Sequence, residues 1–502
     1  MSVLVIDVGT TGLRAAVVRD DTTVHGFTYE PLPPTSPFAG LVEFDGVAMR
    51  DAVLRVANTA LSRTGHASAT NPVRAVGITT QRASTIVWDS RTGMPVAPGL
   101  GWQDLRTVGE CIGLRAEKGL IFAPNQTATK LMWLRANVEA ARTPHARAGT
   151  VDTWVAGVLS NFTLHVTDSS NAAVTGLADH TSLAKFAWSA SVLETLGLDA
   201  AQLPRITPTM GVVGHASALP GSPPIAAIVG DQQASLIGQG GISAGATKAT
   251  FGTGGMLDTY VGTATPTHLA RTTTGTFPIV AYSHDTTLHW GAEAIMLTAG
   301  TNVEWLVNDL GLIPDAASSD AIAASVPSTD GVIYVPALIG LGTPHWDYGA
   351  RGTLLGLTRG STRAHVVRAV LEGIAHRAGD LLEASESDTG LRGERLRIDG
   401  GMSRNATFVQ SIANVIGRPV EICRDTEATT LGAAFLAGTA VGVWSDLAQA
   451  TSLVRPLRTV DPAISTTGSA TDGAQRTSSR AQWHEAVQRS RGWIPELSAL
   501  DF

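Results

Sequence analysis

The stretch Val3-Leu4-Val5-Ile6-Asp7-Val8, followed by Gly9-Thr10-Thr11-Gly12, decides the fold because the chain repeats its pattern. The second copy is Lys248-Ala249-Thr250-Phe251, which continues into Gly252-Thr253-Gly254-Gly255. In both copies an extended stretch, a Gly/Thr turn and another extended stretch follow one another, which is typical of a β-hairpin. Glycine lets backbone N–H groups approach a ligand closely, and threonine adds a hydroxyl donor. Two such hairpins are suited to holding a polyphosphate from two sides, with two domains closing around a nucleotide.

The size and charge of the chain limit the classes of protein to which it can belong. With 502 residues it is too long for one hydrophobic core, so two or three domains are expected. Hydrophobic residues make up 44% and charged residues 16%, which suits a compact globular protein. The net charge of −7 gives no electrostatic reason to bind nucleic acid or an anionic membrane. Any phosphate site must therefore be built locally by loops.

Cysteine usage and the lack of targeting signals indicate a cytoplasmic protein. Cys111 and Cys423 have no Cys/His cluster near them in sequence, so neither a disulfide framework nor a zinc site is predicted. The first residues enter a strand directly, without the basic and apolar segments of a signal peptide. The sequence also lacks an uninterrupted apolar stretch of about 18 residues. We therefore expect a cytoplasmic protein that binds neither membrane nor nucleic acid.

The order of the elements predicts an α/β fold, because strand patterns alternate with helical ones. The longest helical pattern covers 362–382. The predicted strands lie at 75–80, 85–88, 225–229 and 396–399.

Glycines and a biased segment divide the chain. Glycines cluster at 238–245, which predicts a domain boundary near 240–247. We expect one domain at 1–243, a second at 244–450 and a C-terminal tail at 451–502. In the tail, 465–479 is rich in Ser, Thr and Gly, which predicts a mobile insert before a terminal helix.

Two aspartates stand where predicted strands end. Asp7 precedes the first Gly/Thr turn, where it either holds a hydrated Mg²⁺ that bridges phosphates or only hydrogen-bonds the turn. Asp231 follows an apolar strand and begins a helix, so it is either an N-cap or a general base for a substrate hydroxyl. The two roles of Asp231 are compatible, because α/β folds bind ligands at the carboxyl ends of strands. The sequence contains no Walker A motif, and the glycines at 238–241 favour a hinge or turn over a dinucleotide site.

Several motifs, taken in order, resemble those of the FGGY carbohydrate kinases and, among these, the glycerol kinases. The similarity extends from about residue 3 to about 445, with a further match at 485–493. Its most specific part is Gly340-Leu341-Gly342-Thr343-Pro344-His345-Trp346-Asp347, which leads into 351–360 and 371–375. The other matching motifs are Gly77-Ile78-Thr79-Thr80-Gln81-Arg82, Gly101-Trp102-Gln103-Asp104-Leu105-Arg106-Thr107, His165-Val166-Thr167-Asp168, Gly230-Asp231-Gln232-Gln233-Ala234 and Asp399-Gly400-Gly401-Met402.

The resemblance implies two actin-like, ribonuclease-H-like ATPase domains with a catalytic cleft between them. It implies ATP and Mg²⁺ as cofactors and Asp231 as the catalytic base, and we expect Asp7 to hold the metal. The residues that the resemblance assigns to the ATP site are Thr10, Thr11, Gly12, Arg14, Thr253, Gly300, Glu304, Gly401 and Asn405. Those that belong to the predicted polyol pocket are Gln81, Arg82, Ala83, Trp102, Asn125, Asp231 and Gln232.

Two positions of the pocket depart from the glycerol kinase pattern. Glycerol kinases have Gln-Arg-Glu where this chain has Ala83 as the third residue, and Pro-Tyr where it has Pro124-Asn125. In the family, that Glu and that Tyr hydrogen-bond the glycerol hydroxyls. Loss of the carboxylate acceptor removes one charge-assisted bond, typically about 1.5–3 kcal/mol. The two losses together are expected to weaken glycerol binding by roughly tens- to thousands-fold unless neighbours such as Ser84 or Asn125 compensate. Glu304 departs as well, because glycerol kinases usually have Gln there.

The expected function is therefore that of an ATP-dependent kinase that phosphorylates a hydroxyl of a small polyol or sugar. Ala83 and Asn125 favour an alternative, a kinase for a longer polyol or a ketose of the erythritol or xylulose type. A catalytically idle ligand sensor is a different class that stays open, although Asp7, Asp231 and both loops argue against it. The partner is a small molecule, and a homodimer or homotetramer is the expected assembly.

Overall fold

The strands and helices follow the predicted α/β order. A computed structural model describes residues 1–267, 269–424, 428–463 and 470–500. The strands up to residue 230 are β1 (Ser2–Val8), β2 (Gly12–Arg19), β3 (Val24–Pro31), β4 (Glu43–Phe44), β5 (Ala75–Thr80), β6 (Thr85–Asp89), β7 (Met94–Pro95), β8 (Gly99–Leu100), β9 (Ala146–Thr150), β10 (Val166–Asp168), β11 (Arg205–Thr207), β12 (Met210–His215) and β13 (Pro224–Gly230). The later strands are β14 (Thr247–Phe251), β15 (Gly255–Gly262), β16 (Phe277–His284), β17 (Thr287–Met296), β18 (Ile333–Val335), β19 (Thr353–Leu355), β20 (Leu396–Asp399), β21 (Val420–Cys423) and β22 (Pro456–Val460).

The α-helices connect these strands and cover the sheet. They are α1 (Gly46–Arg63), α2 (Val108–Lys118), α3 (Thr127–Asn137), α4 (Val151–Leu159), α5 (Ser169–Ala173), α6 (His180–Leu183), α7 (Ala190–Leu196), α8 (Asp231–Gly238), α9 (Gly300–Asn308), α10 (Ser318–Ala324), α11 (Arg363–Thr389), α12 (Ala406–Ile416), α13 (Ala428–Ala440), α14 (Leu447–Ser452), α15 (Ala470–Ser490) and α16 (Pro495–Ser498). The predicted helix at 362–382 corresponds to α11, which Thr362 caps.

One 13-stranded sheet runs through both halves of the molecule in the order β22-β21-β20-β14-β15-β17-β16-β12-β13-β5-β1-β2-β3. In the first half, β1 is antiparallel to β2 and parallel to β5, and β5 is parallel to β13. In the second half, β14 is antiparallel to β15 and parallel to β20, and β20 is parallel to β21. The halves thus repeat one topology, which confirms the predicted fold class and the duplicated hairpin. They join edge to edge through one bridge pair, Met210 with His284.

The two halves are also interlocked by a pair of equivalent helices. Helix α8 follows β13, and helix α13 follows β21, the equivalent strand. The two helices cross so closely that a Cβ atom on Gly432 would lie 1.8 Å from the carbonyl oxygen of Ala234. A Cβ atom on Gly238 would lie 1.9 Å from the carbonyl oxygen of Ala428. The glycine at 238 is therefore a helix-packing contact rather than part of a hinge or turn.

The second half contributes a helix to the core of the first. Helix α13 packs on β1, β5 and β13, and a Cβ atom on Gly77 of β5 would lie 2.8 Å from the carbonyl oxygen of Ala433. Helices α1 and α4 bury the opposite face of the same strands. This explains why β1 reads as a continuous apolar run, since both of its faces are covered. The domain limits 1–243 and 244–450 stay a prediction.

The C-terminal tail is built into the second half. Strand β22 pairs with β21 at the edge of the sheet. Helix α15 begins at Ala470, so 470–479 is helical rather than irregular, and 464–469 lie outside the described residues. The predicted terminal helix therefore begins earlier than its composition suggests, and Arg480 anchors it, because Nη2 lies 2.6 Å from Asp380 Oδ1 and 2.8 Å from Glu383 Oε2 of α11. Trp483 also donates to Asp380, and charged partners hold the pKa of this buried carboxyl far below its usual range.

None of the helices in the described ranges combines the length and apolar character that a membrane crossing requires.

Gly432→Ala is expected to lower the free energy of unfolding by about 1–3 kcal/mol, because the added methyl group overlaps a backbone carbonyl that cannot rotate away. Gly113→Ala in α2 is the matched control, since its Cβ atom would meet nothing within 4 Å. It should stabilise the protein by up to about 1 kcal/mol through helix propensity. Urea denaturation followed by circular dichroism measures both, and equal shifts would show that the crossing tolerates a methyl group.

Arg480→Met is expected to lower the free energy of unfolding by about 1.5–3 kcal/mol, because it removes a charge-assisted contact to the buried Asp380. Arg489→Met in the same helix is the control, since its partner Glu485 and Arg489 itself are both exposed. That exposed pair should contribute less than about 0.5 kcal/mol. A thermal melt of the two variants compares them directly, and an equal loss would contradict the anchoring role of Arg480.

Candidate active site

The first Gly/Thr loop lies between β1 and β2 and is held from two sides. The N–H group of Gly9 donates to the carbonyl of Gly12 at 3.0 Å, which closes the turn. The indole N–H of Trp102 donates to Thr10 Oγ1 at 3.1 Å. Glycine is favoured at position 12, because a Cβ atom would lie 2.8 Å from the backbone carbonyl oxygen of Glu30. The loop is therefore preformed, and Trp102 contacts it directly.

Gln81 also supports this loop. Its Nε2 donates to the carbonyl of Gly9 at 3.2 Å, and its Oε1 accepts from Ser84 Oγ at 2.9 Å. The same Ser84 oxygen accepts the backbone N–H of Trp102 at 2.9 Å. Gln81 is buried, so the structure gives it a bracing role beneath the loop.

Asp7 and Arg14 meet across the first hairpin. Arg14 Nε lies 2.9 Å from Asp7 Oδ2, and Asp7 is buried. A single carboxylate that is already paired with an arginine suits Mg²⁺ only where phosphate oxygens and water supply most of the ligands of the ion. Mg²⁺ is usually bound in proteins in this way. Among the described residues, only Asp380, Glu383 and His484 place three metal-ligating atoms within 4.8 Å of one another. That group is the anchor of α15, which an arginine already occupies.

The second Gly/Thr loop lies between β14 and β15 and packs on the start of α9. The N–H group of Gly300 donates to the carbonyl of Gly252 at 2.8 Å, and Thr301 Oγ1 donates to the carbonyl of Thr253 at 3.0 Å. A Cβ atom on Gly300 would lie 2.6 Å from the Gly252 oxygen. The fold thus brings Thr253 and Gly300 together, with the exposed Glu304 one turn further along α9.

The Gly400–Gly401 turn lies against the same loop. Gly400 has φ of +89°, and a Cβ atom there would lie 2.4 Å from the carbonyl oxygen of Phe251, the last residue of β14. Gly401 is exposed beside it. Asn405 caps α12, because its side chain accepts the N–H of Phe408 at 2.9 Å. The predicted adenosine-side residues therefore border the second loop, and Asn405 has a structural task as well.

Asp231 is the first residue of α8, and the N-cap of that helix is Gly230. The carboxylate accepts the N–H of the adjacent Gln232 at 2.8 Å. Asp231 thus lies one position after the N-cap, although its carboxylate still satisfies one N–H group of the first turn. The side chain is 28% exposed. Burial of the surrounding site raises the pKa of Asp231 above its usual value, despite the positive charge of Arg82, whose Nε lies 3.6 Å away.

Arg82 connects this aspartate to the second half of the molecule. Its Nη2 lies 2.7 Å from Glu293 Oε2 in β17. Both side chains are at least nine-tenths buried, and burial raises the pKa of Glu293 to about 7. Arg82 thus lies between two carboxylates, Asp231 from its own half and Glu293 from the opposite half.

Gln232 is held from the second half as well. Lys248 of β14 donates from Nζ to Gln232 Oε1 at 2.7 Å. The same Nζ lies 2.8 Å from Asp258 Oδ2 in β15, and both of these charged side chains are fully buried. Sequence reasoning missed Glu293, Lys248 and Asp258. A charged residue within an otherwise apolar strand was the available signal for all three.

The two residues that depart from the glycerol kinase pattern lie on segments that touch. Ala83 is buried with φ of +63°, and its carbonyl accepts from Thr127 Oγ1 at 3.1 Å. Asn125, two residues before Thr127, is exposed, and its carbonyl accepts from Lys130 Nζ at 2.7 Å. Burial lowers the pKa of Lys130 to about 7. The segment 125–130, which these two hydrogen bonds hold in place, therefore links positions 83 and 125, where the chain departs from the glycerol kinase pattern.

Comparison with known proteins identifies the family to which the chain belongs. A model of the N-terminal domain of the FGGY family of carbohydrate kinases matches residues 2–238, and one of the C-terminal domain matches 247–441. The chain belongs to this family. As an FGGY carbohydrate kinase it is a phosphotransferase that acts on an alcohol group.

Similar proteins cover nearly the whole chain. The glycerol kinase of Trichlorobacter lovleyi is 38% identical and aligns with 98% of this chain and 99% of its own length. The glycerol kinase of Bordetella parapertussis is 39% identical, over 98% and 97%. The crystal structure of Plasmodium falciparum glycerol kinase with ADP has a TM-score of 0.88 at 27% identity and covers 97% of this chain and 98% of that chain. Xylulose kinase from Lactobacillus acidophilus, at 22% identity and a TM-score of 0.84 over 98% of this chain and 99% of that chain, shares the fold.

Proposed function

We propose that this FGGY kinase transfers the γ-phosphoryl group of ATP to a hydroxyl group of a small polyol, and that glycerol is the first acceptor to test. The observation that carries the proposal is the setting of Asp231, a partly exposed carboxylate directly after β13 with Arg82 and Gln232 beside it. The similar proteins named glycerol kinase, one of them solved with ADP, support the same donor and acceptor classes.

In the proposed mechanism, Asp231 accepts the proton of the attacking hydroxyl group. The hydroxyl oxygen forms a bond to the γ-phosphorus as the bond from that phosphorus to the bridging oxygen breaks, and ADP leaves with the electron pair. The loops that carry Thr10 and Thr253 hold the phosphates from the two halves, and Arg82 orients Asp231. Mg²⁺ would neutralise the phosphate charge, with Asp7 as the carboxylate nearest the first loop. Closure of the halves excludes water that would otherwise hydrolyse ATP.

A second acceptor class has one observation in its favour. Ala83 presents only a methyl group where the family has a glutamate that binds glycerol, and exposed Asn125 stands in place of a tyrosine. Smaller side chains at these two positions are the basis for proposing a longer polyol or a ketose of the erythritol or xylulose type. Assembly as a homodimer or homotetramer and a cytoplasmic location complete the proposal and rest on the sequence alone.

A coupled ADP-release assay with Mg·ATP and a panel of glycerol, erythritol, pentitols, ketopentoses and hexoses tests both classes. At least one acceptor should stimulate ADP release well above the ATP-only background. Glycerol as the best acceptor would show that Ala83 and Asn125 do not shift specificity. The absence of stimulation by any acceptor would favour a ligand sensor over a kinase.

Asp231→Asn is expected to lower turnover by about 10²–10⁴-fold, because the amide cannot accept the proton. Asp446→Asn is the matched control, since Asp446 caps α14 by accepting the N–H of Gln449, and asparagine caps equally well. Near-normal turnover of a folded Asp231→Asn variant would overturn the assignment of the base.

The pH dependence of kcat/KM should reflect the raised pKa of Asp231. Because burial raises its pKa, the acid limb of kcat/KM should lie above the usual value of 3.8, with activity falling as the pH drops through it. A pH series with the best acceptor measures this limb. A limb at or below 3.8 would contradict the raised pKa.

A further inference from the structure

Lys248 and Asp258 form a buried charged pair that the mechanism above does not use. They are register partners on β14 and β15, and their side chains are 1% and 0% exposed. Burying two charges is costly unless each has partners. Lys248 has three, because Nζ lies 2.8 Å from Asp258 Oδ2 and donates to Gln232 Oε1 at 2.7 Å and to Thr250 Oγ1 at 3.1 Å. An arrangement this complete fixes the position of the ammonium group.

The bond to Gln232 crosses from the second half to the first and sets the orientation of an amide. An ammonium group only donates hydrogen bonds, so the atom that faces Lys248 must be the amide oxygen. The Nε2 group of Gln232 is thereby turned away from Lys248 and stays available as a donor. Gln232 directly follows Asp231 and is half-buried, so this donor lies on the segment that carries the base.

The same pair contributes charge close to Asp231. The charged groups that influence this carboxylate are Arg82, Lys248 and Asp258, and Glu293 lies on the far side of Arg82. Lys248 lowers the pKa of Asp231, whereas Asp258 raises it. Removal of Lys248 should therefore raise the pKa of Asp231, and removal of Asp258 should lower it.

We propose that Lys248 is a positioning residue for the acceptor: it orients the Gln232 amide so that Nε2 donates to an acceptor hydroxyl group, and Asp258 holds Lys248 in place. This rests on the proposed function of the same site. The polyol site, although carried by the first half, is complete only when β14 of the second half lies against it.

Lys248→Met tests the orienting role. The KM for the best acceptor should rise about tenfold or more, because the amide is free to rotate and a charge-assisted bond is lost, while the KM for ATP should change less than about twofold. If the single variant folds poorly, the double variant Lys248→Met/Asp258→Asn replaces it, because it leaves no unpaired buried carboxylate. It should show the same raised KM for the acceptor and nearly unchanged KM for ATP. A parallel rise in both KM values would overturn the proposal.

The acid limb of kcat/KM provides a readout that a purely structural role would not move. It should shift to higher pH in Lys248→Met and to lower pH in Asp258→Asn, and it should return close to the wild-type position in the double variant. Glu421→Gln is the control, since it removes the charge of a nearly buried carboxylate that pairs with Arg395 and Arg397 in the same half. It should leave the limb and the acceptor KM unchanged. Shifts in the same direction for the two single variants would overturn the proposal.

Failure of the proposed function would look different. In that case the wild-type protein would release no ADP with any acceptor, or folded Asp231→Asn would keep its turnover. Titration calorimetry with the same acceptor panel then still tests Lys248. Binding that weakens about tenfold in the double variant supports the positioning role, and unchanged or absent binding overturns it.

Discussion

The close crossing of α8 and α13 is the constraint on which the rest of the active site depends. Gly238 and Gly432 let two helices from opposite halves pass with backbone against backbone, where any side chain would overlap a carbonyl oxygen. Helix α8 begins with Asp231, so the crossing fixes this carboxylate relative to the second half. Helix α13 covers β1 and β5, the strands that lead into the first Gly/Thr loop and to Arg82. One contact between glycines therefore sets the position of groups that come from both halves.

Because the crossing holds the two halves in place, the buried charges of the site keep their partners, which offset the free-energy cost of burying them. Arg82 meets Glu293 at 2.7 Å and Lys248 meets Gln232 at 2.7 Å, each across the junction of the halves. Buried charges that lost such partners would destabilise the fold by several kcal/mol (about 3–5 kcal/mol for a broken buried pair). The fixed helices keep the partners in place before any substrate arrives. The same charges then act on Asp231, whose pKa reflects the balance between burial and its neighbours.

The sequence predicts the elements of this protein well and the contacts between them poorly. Gly/Thr turns, apolar strands and the helical pattern of α11 are local signals, and each corresponds to an element of the structure. The loop residues Thr10 and Thr253 follow from them. Glu293 is not predictable in this way, because its partner Arg82 is 211 positions away and only the sheet order brings them together. Gly238 shows the same limit, since a glycine that admits a neighbouring helix looks, in sequence, like one that makes a turn.

The backbone at Ala83 can carry side chains of different size. Ala83 has φ of +63°, a left-handed conformation that costs a residue with a Cβ atom about 1–2 kcal/mol whatever its side chain. Thr127 holds the carbonyl of Ala83, and a main-chain bond of this kind does not depend on the side chain at 83. An alanine and a glutamate can therefore occupy the same backbone at this position. Asp231 lies on α8, and the two Gly/Thr loops are held by contacts with Trp102 and with the start of α9. A substitution at position 83 is therefore expected to leave the backbone of these groups in place.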